Sequence, residues 1–124
     1  MVVVYTILIG YVVFHVIHHS GAITLTARPC PTPGQEITTT ISQGIFSPSP
    51  VVVKRCDDVT IINRSNQLIE LGLGPHHEHT HYPTFAENVL SPGKSMRFQA
   101  SVLGSFELHD HIKDKITTTL TVTE

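Results

Sequence analysis

The chain has no tryptophan, only 6% aromatic residues and only 15% charged residues over its 124 positions. Its eight Lys and Arg residues are scattered and the formal net charge is −2, so there is no basic stripe to hold a nucleic acid. Cysteine occurs twice, at Cys30 and Cys56, and neither has a His or a second Cys close in sequence, which excludes a local Cys-x-x-Cys metal or redox pair. Methionine is limited to Met1 and Met96. Without a Ser-His-Asp arrangement, paired catalytic carboxylates or a phosphate-binding loop, the common hydrolytic and phosphoryl-transfer chemistries lack their parts. The length bounds the chain to one domain, and no internal repeat or low-complexity tract divides it.

What is present begins with an apolar run, Val2 to Ile17, that contains no Lys, Arg, Asp or Glu. As a helix it would span about 24 Å, a little short of the hydrocarbon core of a bilayer. It has no basic residues ahead of it, and Ser20-Gly21-Ala22 is only a loose cleavage site. Residues 1–19 therefore read as a signal peptide or membrane anchor, ahead of a β-branched core strand, with His15, His18 and His19 marking the water interface. The implied location is exported: periplasmic, extracellular or membrane-anchored, with membrane contact through 1–19. Residues 20–35 read as a linker or first strand. In an oxidising compartment Cys30 pairs with Cys56, and closing that loop contributes about 3 kcal/mol on the chain-entropy estimate.

The remainder, 36–124, is rich in Thr, Val and Ile with Gly and Pro as punctuation, the composition of an all-β domain. Short strands are expected at Ile37 to Ser42, Val51 to Lys54, Val59 to Asn63, Gln67 to Leu73, Ser95 to Ala100, Gly104 to Leu108 and Ile116 to Val122. Between the fourth and fifth of these lies a long irregular loop running through the histidines to Asn88. Loops of that length usually carry function.

Nine histidines are the anomaly of the composition, and six fall in two short segments. The first is His76-His77-Glu78-His79-Thr80-His81. The second is His109-Asp110-His111, at the end of a strand in which Phe106 and Leu108 take one face and Glu107, His109 and His111 the other. Histidines two apart on one strand face are about 6–7 Å apart at Cα, close enough for their imidazoles to converge on one ion. Imidazole is the commonest ligand for copper and zinc, so a metal site assembled from two distant segments is expected. Glu78 and Glu107 read as solvated.

The order Val51-Val52-Val53-Lys54-Arg55-Cys56-Asp57-Asp58-Val59-Thr60-Ile61-Ile62-Asn63, a His-containing loop, Ser91-Pro92-Gly93-Lys94-Ser95-Met96-Arg97-Phe98 and then Gly104-Ser105-Phe106-Glu107-Leu108 resembles the cupredoxin family over about the last 85 residues, a single compact domain. The resemblance implies a Greek-key β-sandwich holding copper at one end. Two departures stand out. Cys56 sits where the family commonly has Gly, and Asp110 sits where blue-copper members have the ligand Cys. The motif His109-Asp110-His111 is similar to the His-Cys-His of multicopper oxidases with its cysteine replaced. It is also similar to small cupredoxin-like proteins carrying His-Asp-His, whose spaced histidine pair before Tyr-Pro-x-Phe matches His76, His79 and Tyr82-Pro83-Thr84-Phe85.

The ligand set this implies is His76, His79, His109 and His111, with His77, His81 and Asp110 in reserve; Asp110 serves equally well as a carboxylate orienting a histidine. A site of imidazoles without thiolate suits Cu(II) and also accepts Zn(II). The expected function is copper binding for storage, delivery or electron transfer by a non-catalytic protein. A copper-dependent oxidoreductase acting on oxygen or nitrogen oxide species and a structural zinc-binding sandwich are the alternatives. If His109 and His111 point away from the core, the metal suits an interface. The partners would then be a second copy of the chain or a redox or copper-transfer protein.

Overall fold

Nine strands follow one another in the computed structural model, which describes residues 25–124: β1 (Glu36–Ser42), β2 (Ile45–Ser47), β3 (Val51–Lys54), β4 (Asp58–Asn63), β5 (Ile69–Leu73), β6 (Asn88–Leu90), β7 (Ser95–Gln99), β8 (Gly104–Asp110) and β9 (Thr117–Thr123). The apolar run assigned to a signal or anchor, 1–19, lies outside the described residues, as do residues 20–24. No helix among the described residues is long and apolar enough to cross a membrane.

The strands form two sheets, one in the order β2-β1-β4-β7 and the other β3-β9-β8-β5-β6. Both are mixed, because β1 runs parallel to β4 and β3 parallel to β9. Alternation explains how they pack. In β4, Val59 and Ile61 are buried while Thr60 and Ile62 are not, and in β9 Leu120 and Val122 point inward while Thr119, Thr121 and Thr123 do not. The inward residues of the two sheets make one core that includes Ile41, Ile61, Leu71, Leu108 and Leu120, the all-β sandwich expected from composition.

Two short strands exceed the sequence expectation. β2 pairs with β1 immediately after the turn at Gln43-Gly44, and β6 lies at the end of the histidine loop, paired with β5 through Ile69↔Leu90. Strands of three residues carry too little periodicity to be read in advance.

Asn63 closes the β4–β5 turn. Its side-chain amide donates to the carbonyls of Gln67 (2.8 Å) and Leu90 (2.9 Å), and its Oδ1 accepts from Ser65 N (2.9 Å). At the opposite end Asp57 accepts from Gln35 N and Lys54 N, each at 2.8 Å. Beside it Cys56 is disulfide-bonded to Cys30, tying the strandless segment 25–35 to the sandwich. Cys56 adopts φ +78°, the left-handed region that an L side chain enters at about 1–2 kcal/mol.

Two effects therefore oppose each other at position 56, and substitution separates them. Cys30→Ala/Cys56→Ala is expected to lose about 3 kcal/mol in denaturant unfolding. Cys30→Ala/Cys56→Gly should recover about 1 kcal/mol of that loss, because Gly accepts the backbone without strain. Equal stability of the two variants would contradict the assignment of strain to Cys56.

Candidate metal centre

The register of β5 against β8 decides where the histidines go. Leu71 is paired with Asp110, Gly72 with His109 and Leu73 with Leu108. Leu71, Leu73 and Leu108 are core residues, so Gly72 and His109 lie on the outer face of the five-stranded sheet. The ladder continues one residue past β8, with His111 N donating to Glu70 O at 2.7 Å, and this carries His111 to the same face.

An outer-face histidine would ordinarily be wet, yet His109 is only 1% exposed. The histidine loop roofs it. The chain turns at Gly74, φ +92°, whose amide donates to Glu107 O, and Thr80 N donates back to Leu73 O. A Cβ at Gly74 would collide with Thr80, so only glycine fits the stem. Within the loop Glu78 N donates to Pro75 O at 3.0 Å, a turn that brings His76 and His79 toward the sheet together. The far end is pinned by Tyr82, which is buried edge-on to Phe98 and Phe106. Its hydroxyl accepts from Ser101 N and Val102 N, both at 2.9 Å, and donates to Val102 O at 3.1 Å.

Four imidazoles meet under this roof. Ring centroids are separated by 5.5 Å for His76–His109, 5.0 Å for His76–His111, 5.3 Å for His79–His109, 4.2 Å for His79–His111 and 5.1 Å for His109–His111. One donor atom each from His76, His109 and His111 lies within 4.8 Å of the others, and so does one each from His79, Glu87 and His111. The donor chemistry fits copper or zinc. So does the state of the donors. Both ring nitrogens of His109 and Nε2 of His79 are buried without a hydrogen-bond partner among the described residues. An unsatisfied buried polar atom costs about 1–3 kcal/mol, and a bound cation is the kind of partner that removes such a penalty.

Of the reserve residues, His77 is exposed and stands edge-on to His76 at 5.4 Å, and His81 is exposed farther along the loop. Asp110 is not brought to the histidines. Its parity turns it to the core side, where Oδ1 accepts from Glu70 N and Ile112 N, each at 3.0 Å, and holds the end of β8. Its Oδ2 has no partner among the described residues. Glu107 is half exposed, as expected of a solvated carboxylate, with Oε1 3.5 Å from His109 Nδ1.

Two residues of the site escape sequence reasoning. Gly72 is its floor: a Cβ there would stand 3.2 Å from His109 Nε2, His111 Cδ2 and His79 Cε1. A glycine inside the apolar run Leu71-Gly72-Leu73 is the available signal, because it marks a close approach in a strand. Glu87 contacts His79 Nδ1. No spacing rule links positions eight apart across an irregular loop.

No family model matches the sequence, and no curated protein matches it. Solved structures do match the fold. A purple cupredoxin from Nitrosopumilus maritimus superposes with TM-score 0.62 at 14% identity, covering 69% of this chain and 98% of its own. A reduced amicyanin variant gives TM-score 0.59 at 15% identity, covering 78% of this chain and 96% of its own.

The imidazole of His109 is held below its ordinary value by burial first and by the positive charge of His111 second, with Glu107 opposing and His79 and His76 adding to the lowering. The neutral, lone-pair-bearing form is thereby favoured. In the unfolded chain His109 protonates near pH ~6.5, whereas the folded one resists, so in acid the unfolded state binds more protons. Stability of the chelator-treated chain should carry no such penalty above about pH 6.5, then decline as pH falls toward the folded value. Wild type should lose more stability than His109→Gln as pH falls below about 6.5; parallel pH profiles would remove His109 as the cause. The fold behind these geometries is that of the matched structures: the chain is a cupredoxin-like β-sandwich.

Proposed function

We propose that the chain is an exported copper-binding protein that holds Cu(II) between His76, His79, His109 and His111 on the outer face of its larger sheet. The observation that carries this reading is His109, a buried histidine whose two ring nitrogens have no hydrogen-bond partner among the described residues, facing three other imidazoles. The disulfide supports an oxidising compartment. Copper in this site would have no thiolate and no methionine, because Asp110 occupies the expected cysteine position and the methionines are Met1 and Met96. The donor set favours retention of Cu(II) over the tuned electron transfer of a blue centre. His76 is exposed while His109 is sealed, an arrangement suited to storage or delivery, with entry and exit from the side of the roof.

Titration of the full chain with Cu(II), followed by electron paramagnetic resonance and visible spectra, tests the reading. One equivalent should bind without an intense thiolate band near ~600 nm. Substitution of His109→Ala/His111→Ala should abolish that binding. Uptake undiminished in the double variant would leave a loose surface chelator at the upstream histidines and overturn the site. Gly72→Val, which crowds the floor without removing a ligand residue, is expected to weaken binding by at least about tenfold through displaced imidazoles; unchanged affinity would contradict its place beneath the ion.

A further inference from the structure

We infer that Glu87 is a positioning residue for the metal site: its carboxylate accepts the Nδ1–H of His79 and so fixes the tautomer that presents Nε2 to the ion. The inference rests on the copper-binding reading above, but its geometry stands by itself. Glu87 Oε1 contacts His79 Nδ1. The other ring nitrogen, Nε2, is buried and has no partner among the described residues. His79 Cε1, between the two nitrogens, lies over Gly72 beside His109 Nε2 and His111 Cδ2.

His79 Nδ1 also lies 3.4 Å from His111 Nε2. A neutral imidazole has one N–H, which cannot serve both neighbours. The carboxylate is the stronger acceptor because it is charged, and giving it the proton leaves the His111 lone pair free as well. One carboxylate thereby prepares two donors. It also closes the roof. Glu87 immediately precedes β6, which is paired to β5, so the bond ties the long loop back to the sheet that carries His109 and His111. The side chain of Glu87 is 47% exposed and that of His79 is 21% exposed, which places the acid at the rim and the imidazole beneath it.

The test has a readout that needs no metal. Long-range proton–nitrogen correlation spectra of the neutral, copper-free full chain should show His79 with its proton on Nδ1, and Glu87→Ala should shift it toward the Nε2–H form. Wild-type His79 protonated on Nε2 overturns the inference even if copper binds normally. Cu(II) affinity gives the second readout. Glu87→Ala should weaken binding by about 10–100-fold, and Glu87→Gln, whose amide oxygen still accepts, should recover much of it. In a His79→Ala background the Glu87→Ala effect should vanish. A loss that persists there makes Glu87 a direct ligand and contradicts the positioning role, as does unchanged affinity in Glu87→Ala. A wild-type chain that takes up no Cu(II) defeats the functional reading, while the tautomer measurement still decides the role of Glu87.

Discussion

The pairing of Gly72 with His109 is the constraint on which the site depends. It is a backbone event: the β5–β8 register that seats Leu71, Leu73 and Leu108 in the core also sends His109 to the opposite face. A slip of one residue would reverse both assignments, exposing leucines and burying His109 among them. The hydrophobic core therefore sets the position of the histidines, and the histidines do not have to hold the sheet together. Gly72 completes the arrangement by having no side chain where three imidazoles crowd.

The loop between β5 and β6 turns this surface position into an interior. Gly74 and Thr80 fold it back over the sheet, and Tyr82 locks its far end with three hydrogen bonds in the core. The same segment that supplies His76 and His79 thus excludes water from His109. The outcome differs from a plain outer-face pair, in which both histidines would be solvated. Asp110, held in reserve as a ligand, does not join the histidines: it faces the core and caps the end of β8.

Much of this was legible in the sequence, for reasons that can be named. Thr, Val and Ile content punctuated by Gly and Pro disclosed the all-β sandwich, and the parity of Glu107, His109 and His111 disclosed a shared face. The convergence of His76 and His79 with that face came from the resemblance, because nothing in local periodicity says that a turn at Pro75–Glu78 folds over β8. Strands β2 and β6 were too short to show a period. Glu87 was invisible because its partner is set by loop tertiary structure, whereas Gly72 had a signal, a glycine within a buried strand. Cys56 is instructive in the other direction. A position where the resembled family commonly has Gly is occupied here by a strained cysteine, and the strain is tolerated where the disulfide holds the backbone.

The central claim is that one ion is shared by imidazoles from two segments far apart in sequence. Pulsed electron paramagnetic resonance on the full chain loaded with a single equivalent of Cu(II) addresses it most directly, because modulation from the remote ring nitrogens counts the coordinated imidazoles. The account predicts modulation from several imidazoles at once, drawn from both the loop and the strand and reduced when either pair is removed. Modulation from a single imidazole, insensitive to the loss of His109 and His111, would contradict it.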